Sequence, residues 1–177
     1  MTTGQQPTYW IEMIEIDSVP RDEAHLRQAY ACFPSGVTAV CALIDGEPVG
    51  MAASSFTSVS LDPPLVSVCV RNVSATWRRL RGSSRLGVSV LAEDHDMACR
   101  TLSLKDGDRF AGIAWESGPD GVVLVNGSAA WLVCSVREEV PAGDHVIVVM
   151  SVHGLQTDFG AAPLVFHGSR FRRLAEF

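Results

Sequence analysis

Two short polar dipeptides, Asp45-Gly46 and Asn126-Gly127, interrupt long apolar stretches of the chain. Dipeptides of this kind readily adopt the left-handed backbone that the tightest two-residue hairpin turns require. We therefore expect one hairpin between GVTAVCALI and PVGMAAS, and a second between Val122–Val125 and Ala129–Val136. Short strands joined by tight turns of this kind suggest a β-barrel core.

Other short segments continue this pattern. Apolar runs between turn residues predict further strands at Leu65–Val70, Leu86–Leu91, Asp144–Val152 and Pro163–His167, with Tyr9–Ile16 as a candidate extra strand. Capping residues and helical spacing predict helices from Ser18 to Phe33, over Ser74–Leu80, and from Asp94 to about Leu104. We therefore predict a mainly-β fold, a β-barrel with a few helices, in which residues 1–18 form an N-terminal extension and 19–177 a single domain.

Composition narrows the class of protein. The chain has 177 residues, 47% of them hydrophobic, and a formal net charge of -6. This acidity argues against a nucleic-acid partner, since phosphate backbones attract basic surfaces. No apolar run approaches a membrane span, and the N-terminus lacks the basic and apolar regions of a signal peptide. We expect a cytoplasmic protein that binds neither nucleic acid nor membrane.

The five cysteines are odd in number, widely spaced and mostly set in apolar runs. That pattern predicts reduced, buried thiols rather than a disulfide framework or a zinc site. The run Asp94-His95-Asp96 stands at an expected helix start, where capping explains it better than metal binding. We expect no metal site. Signatures of Rossmann dinucleotide binding, phosphate-binding loops, zinc proteases and α/β-hydrolases are absent from the sequence.

The segment Gly50–Leu65 is unusual for its hydroxyl groups. Five of them lie within seven residues, at Ser54, Ser55, Thr57, Ser58 and Ser60. Small hydroxyls and accessible backbone between apolar residues suit a wall that hydrogen-bonds a flat ligand with polar edges. A hydroxyl-rich turn between strands is the simpler alternative.

Several segments, in order, make the chain similar to a known family. They are FPSGVTAV (33–40), GMAASSFTSVSLDPPLVSVCV (50–70), GVSVL (87–91), DRFAGIAW (108–115), Gly143-Asp144-His145 and PLVFHGSRFRRL (163–174). The chain resembles the short-chain flavin reductases, which are FMN-binding split β-barrels and serve as reductase components of two-component flavin-dependent monooxygenases. The resemblance covers roughly residues 25–174.

The resemblance implies an activity and partners. We expect an NAD(P)H-dependent flavin reductase that transfers hydride from NADH or NADPH to FMN or FAD. It implies a homodimer and a separate oxygenase that receives the reduced flavin. The alternative is an electron-transfer flavoprotein that holds FMN tightly and has little NAD(P)H turnover; a flavin-free binding barrel is a further possibility.

The resemblance also implies site residues. His145, in Gly143-Asp144-His145, is the expected catalytic residue, because an imidazole can contact nicotinamide and deliver a proton near neutral pH. Ser89 stands where the family commonly has an asparagine, so a shorter hydroxyl is expected at the ribityl chain. The residues expected along the flavin ring, ribityl chain and phosphate are Ala53, Ser54, Ser55, Ser58, Val59, Ser60, Leu61, Asn72, Ser74, Thr76 and Ser89.

Overall fold

The computed structural model describes residues 22–175. Within that range the α-helices are α1 (Glu23–Tyr30), α2 (Ala75–Leu80) and α3 (Asp96–Leu102), and a single 3-10 turn covers Pro119–Gly121. The strands are β1 (Ser35–Gly36), β2 (Thr38–Ile44), β3 (Glu47–Ala53), β4 (Thr57–Leu61), β5 (Pro64–Arg71), β6 (Leu86–Val90), β7 (Trp115–Ser117), β8 (Val123–Val125), β9 (Ala130–Ala142), β10 (His145–Thr157), β11 (Val165–His167) and β12 (Arg170–Arg172). The predicted strand Tyr9–Ile16 and the extension 1–18 lie outside the described residues.

A seven-stranded antiparallel sheet dominates the structure. Its strand order is β3-β2-β6-β9-β10-β5-β4, and the sheet curls far enough for β3 to contact β5. Strands β1, β11 and β12 form a small second sheet, and β7 pairs with β8. The predicted mainly-β barrel with few helices is confirmed.

The two dipeptides that predicted hairpins behave differently. Asp45 and Gly46 have φ angles of 55° and 81°, and they join β2 to β3 in the predicted hairpin. The second predicted hairpin is wrong, because β8 pairs with β7 whereas β9 pairs with β6 and β10. The Val125 carbonyl instead accepts hydrogen bonds from the Ser128 hydroxyl (2.9 Å) and the Trp131 indole (2.7 Å). The chain thus turns at Asn126-Gly127 without pairing the flanking strands.

Strand β2 explains how one sheet supports two apolar clusters. Val40 and Ala42 belong to the cluster inside the curled sheet, whereas Ala39 and Cys41 belong to the other cluster. Successive side chains of a strand point to opposite faces, so β2 is buried on both sides. This burial accounts for its uninterrupted apolar sequence.

Helix α2 matches its prediction, α3 is about two residues shorter than predicted at each end, and α1 differs more. Helix α1 starts at Glu23, where the Asp22 carboxylate accepts from the Ala24 N–H at 3.0 Å, and it ends at Tyr30 rather than Phe33. Ser18, the predicted cap, lies outside the described residues. Helix α2 has the predicted Ser74 cap, whose hydroxyl oxygen accepts from the Trp77 N–H at 3.1 Å.

The cysteines are all free thiols, but they are not all buried. Cys41 and Cys134 are buried, and burial raises the pKa of each thiol to about 12. Cys99 is half-buried, and its pKa is raised by the same effect. Cys32 and Cys69 are exposed, so the expectation of burial is wrong for these two. Cys69 alternates outward in β5, between the buried Val68 and Val70.

Candidate functional site

An open cavity of about 640 Å³ lies where the end of β3, the start of β10 and helix α2 meet. It brings together six of the residues expected from the sequence. These are Ala53, Ser54, Ser55, Ser74, Thr76 and His145. They come from segments distant in the chain, and the curl of the sheet places them around one space. We call this space the central cavity.

The wall made by Ala53, Ser54 and Ser55 is held by hydrogen bonds to neighbouring strands. Thr38 donates its hydroxyl to the Ala53 carbonyl at 3.1 Å. The Ser55 hydroxyl accepts from the Cys69 N–H at 2.8 Å and donates to the Cys69 carbonyl at 3.2 Å. Because a hydroxyl has one proton, that of Ser55 is already engaged. Among the described residues Ser54 has no such partner, so its hydroxyl remains available to a ligand.

Only the first part of the hydroxyl-rich segment, up to Ser55, lines the central cavity. Ser58, Val59, Ser60 and Leu61 belong to β4, the edge strand, and do not line the central cavity. The pairing of β4 with β5 runs from Ser67 to Pro64, away from Cys69 and therefore away from the cavity. In this chain the second half of the run forms a strand, and its expected contact with the ring and ribityl chain has no support from the cavity's geometry.

Ser89 is the clearest correction to the expected site. Its side chain lies inside the protein with 0% exposure, and its hydroxyl oxygen accepts from the Val125 N–H at 3.0 Å. A ligand cannot reach a group buried between β6 and β8. The expected ribityl contact at this residue is wrong, and the hydroxyl instead ties two strands together.

Asn72 also differs from expectation. It does not line the central cavity; its side-chain amide donates to the Gly143 carbonyl at 3.0 Å. Its backbone N–H donates to the Asp144 carbonyl, also at 3.0 Å. Two hydrogen bonds therefore clamp the β9–β10 turn that precedes His145. The geometry assigns Asn72 to positioning this turn rather than to touching a phosphate.

His145 begins β10 and faces the central cavity. Its Nδ1 lies 2.8 Å from Oδ1 of Asp144, and 38% of its side chain is exposed. The hydrogen bond from His145 holds the pKa of the Asp144 carboxyl below its usual range, with a smaller effect from the charges of His145 and Arg71. An ionised carboxylate can only accept, so Nδ1 carries the proton. Nε2 is left as the nitrogen that can accept or hold a proton from a ligand.

Three cations in the cavity wall were missed by the sequence reasoning. They are Arg71, Lys105 and Arg109. Arg109 is anchored, since its Nη1 donates to the Gly50 and Leu102 carbonyls at 3.3 Å each. Lys105 is the only lysine of the chain, so the sequence alone could have singled it out. It stands in the loop KDGDR, which follows helix α3.

The central cavity continues in two directions. On one side lies an apolar cavity of about 240 Å³, which shares Ala52, Ala53, Ser54 and Ser103 with it. Phe166 and Phe171 line this cavity, and the Arg100 guanidinium lies 5.0 Å from the centroid of the Phe171 ring. On the other side lies a charged cavity of about 400 Å³, at Arg79 and the loop that carries Lys105. Together the three form one groove.

Over residues 22–175 the structure has neither a metal-binding cluster nor a membrane-spanning helix. In this range no cluster of three or more His, Cys, Asp or Glu side chains has the arrangement needed to hold a metal ion. None of the helices described has the length and apolar character needed to cross a bilayer.

Comparison with known proteins agrees with this geometry. The family described as flavin reductase like domain matches residues 30–175. A probable flavin reductase of Rhizobium meliloti (strain 1021) is 40% identical over 129 residues, which are 72% of this chain but only 42% of that protein. HsaB of Rhodococcus jostii (strain RHA1), a flavin-dependent monooxygenase reductase subunit, is 35% identical over 150 residues, 85% of this chain and 77% of the subunit.

Two solved structures of a flavin oxidoreductase have a fold similar to that of this chain. The NADH:FAD oxidoreductase SgcE6 of Streptomyces globisporus has a TM-score of 0.84 at 35% identity, with 93% of this chain and 100% of that chain covered. A second structure of SgcE6, in complex with NAD and FAD fragments, has a TM-score of 0.83 at 36% identity, covering 93% and 98%. The fold, the groove and these matches in sequence and structure show that the chain belongs to the flavin reductase like domain family.

Proposed function

We propose that the protein is an NAD(P)H-dependent flavin reductase that transfers hydride from NADH or NADPH to FMN or FAD. The observation that carries this proposal is the continuous groove. It joins a flat wall at Ala53–Ser55, an imidazole at His145, and cations at Arg71, Lys105 and Arg109. Its open side leaves room for a second ligand to lie against the first.

The residues present fit a flavin. The groove has apolar surface for a flat ring, a free hydroxyl at Ser54, and cations that suit a phosphate. When bound, the flavin supplies the redox chemistry by accepting a hydride from the nicotinamide. The protein supplies orientation and charge, and both depend on groups that the fold holds in place before the ligands arrive.

Each part of the groove has its own task. Ser74 uses its hydroxyl oxygen to cap α2, so its proton is free to donate to a phosphate, and Thr76 presents its side chain beside it. Lys105 and Arg109 add positive charge close to Thr76. His145 lines the groove, and its Nε2 has no hydrogen-bond partner among the described residues, so it can contact the nicotinamide or move a proton. Asn72 and Asp144 keep that imidazole in place.

The reduced flavin would be used by a separate oxygenase. HsaB of Rhodococcus jostii is named as the reductase subunit of a monooxygenase, which supports a separate oxygenase as the partner of this chain.

We also infer a homodimer. The edge strand β4 exposes Val59 and Leu61, at 50% and 93%, and a second copy would cover such apolar side chains. The free thiols support a cytoplasmic location.

The relatives are named as reductases, which favours reductase turnover over the alternative of an electron carrier with tightly held FMN. Steady-state oxidation of NADH and NADPH, each with FMN and with FAD, tests the proposal directly. We expect turnover with at least one pair, and no turnover with any pair would overturn it.

A variant tests the site independently. His145→Gln removes the imidazole, and we expect the turnover number to fall on the order of a hundredfold. His153→Gln is the matched control, since His153 bonds only Ser135 at 2.8 Å and lies outside the groove. Equal activity in the two variants would refute the role of His145 and leave the fold assignment standing.

A further inference from the structure

The charged cavity of about 400 Å³ is not needed for a flavin that ends at one phosphate. It shares Ala75, Thr76, Lys105 and Arg109 with the central cavity, so a ligand in one can extend into the other. The remaining wall comes from the start of β3, from Arg79, and from the loop after Lys105.

The charges of the extension point to an anion. Arg79, Lys105 and Arg109 line it, together with the carboxylates of Asp106 and Asp108. One carboxylate is engaged, because Asp108 accepts from the Phe110 N–H at 2.8 Å. Arg79 and Lys105 form no ion pair with any residue in the described range 22–175. Unpaired cations at a concave surface attract anions, and the chain as a whole is acidic.

Of the three arginines in and just after helix α2, only Arg79 lines this cavity. Arg81 is held by the carboxylate of Glu139, and Arg78 donates to the Val73 carbonyl at 3.5 Å. Arg79 is three residues after Thr76, so the two side chains lie on the same face of the helix. Thr76 lines both cavities, and Arg79 lines the extension only. Arg79 therefore stands just beyond the place where a first phosphate would bind.

We propose that this extension binds the second phosphate and adenosine of a flavin dinucleotide, and that Arg79 is the residue that favours FAD over FMN. The inference rests on the proposed function and adds a preference that the sequence left open. FMN ends at its single phosphate, whereas FAD continues through a second one. A guanidinium can form charge-assisted hydrogen bonds with that second phosphate.

Nicotinamide nucleotides also carry two phosphates, so the source of the anion must be distinguished. The extension joins the central cavity at Thr76 and Lys105, whereas the apolar cavity joins it at Ala53, and the two share no lining residue. A nicotinamide lying against the exposed flavin ring has the apolar cavity as its neighbour. This arrangement assigns the extension to the flavin.

The experiment measures binding of FAD and of FMN to the flavin-free protein by isothermal titration calorimetry, together with the KM for NADH. Arg79→Gln should lower the ratio of FAD affinity to FMN affinity about tenfold, which corresponds to the loss of one charge-assisted contact. Arg79→Lys should keep part of the preference. Arg85→Gln is the matched control, since it removes the same charge from a residue outside all three cavities.

The outcomes separate this inference from the proposed function. An unchanged ratio in Arg79→Gln, or an equal loss of affinity for both flavins, overturns the role of Arg79. A raised KM for NADH with an unchanged flavin ratio overturns it too, and assigns the extension to the nicotinamide nucleotide. Failure of the wild-type protein to bind or reduce either flavin overturns the proposed function itself. Arg79→Ala, with the same expected fall in the affinity ratio, serves as a second variant if Arg79→Gln does not fold.

Discussion

Replacing Ser55 by alanine tests whether the hydroxyl-rich segment serves a ligand or the fold. In the structure the Ser55 hydroxyl bonds both backbone groups of Cys69, at 2.8 Å and 3.2 Å. It thereby ties the chain between β3 and β4 to strand β5. The substitution removes both hydrogen bonds and leaves the Cys69 N–H without its protein partner.

The expected loss in the free energy of unfolding follows from those two hydrogen bonds. A typical intramolecular hydrogen bond contributes about 0.5–1.5 kcal/mol net, and the Cys69 backbone lies at the edge of an open cavity where water can partly replace the hydroxyl. We therefore expect Ser55→Ala to lower the free energy of unfolding by about 1–2 kcal/mol. For a chain of this size that corresponds to a decrease in Tm of about 2–8 °C.

The assay is urea and thermal unfolding of the flavin-free protein at one fixed protein concentration, which keeps any effect of association constant. Ser54→Ala is the matched control, because Ser54 lines the same cavity without a hydrogen bond to a described residue. We expect it to leave the Tm within about 1–2 °C of wild type, as a change of up to about 0.5 kcal/mol implies. It should instead weaken flavin binding.

The reverse pattern would refute this reasoning. If Ser55→Ala unfolds like wild type but loses flavin affinity, the hydroxyl serves the ligand and its bonds to Cys69 contribute little. If both variants lose stability equally, the loss belongs to the segment as a whole and not to the two hydrogen bonds of Ser55.

Two further predictions concern the walls of the groove. Cys69 is exposed and lines the central cavity, so bound flavin should slow its alkylation severalfold. The exposed Cys32 lies outside that cavity and should be alkylated at the same rate with and without flavin. Alkylation is measured by mass spectrometry, and equal labelling of Cys69 with and without flavin would place the ligand elsewhere. The hydrogen bond with His145 lowers the pKa of Asp144. The pair therefore stabilises the turn fully at pH values above the usual pKa of a carboxyl group, and this stabilisation is lost as the pH falls through the lowered pKa. In His145→Ala the carboxyl carbon of Asp144, followed by NMR, should titrate at higher pH than in wild type, and an unchanged titration contradicts the assignment.

Local signals in the sequence predicted local structure well. The Asp45-Gly46 turn and the Ser74 cap of α2 are both satisfied by groups within a few residues, and both were confirmed. The order of short motifs likewise indicated the family, which the matches over residues 30–175 confirm. These features depend on backbone conformation and neighbouring side chains, which a sequence states directly.

The same reasoning failed where a residue's partner lies far away in the chain. Asn126-Gly127 signals a turn as clearly as Asp45-Gly46, yet the strands beside it pair elsewhere. Ser89 looks like any other small hydroxyl in the sequence, and only the packing of β6 against β8 shows that it is buried. Strand pairing and burial are decided by contacts between distant segments, so no local pattern reports them.

By itself the sequence indicated a mainly-β chain of the flavin reductase type, which the structure and the family match confirm, and it predicted a hydroxyl-rich segment and a histidine turn as parts of the site. The tertiary structure decided which of those groups face the groove. Curling of the sheet brings the Ala53–Ser55 wall, Thr76 and His145 together, and the loop after α3 adds Lys105. A binding site is a property of surfaces that meet, and these surfaces meet only when distant strands pair and pack.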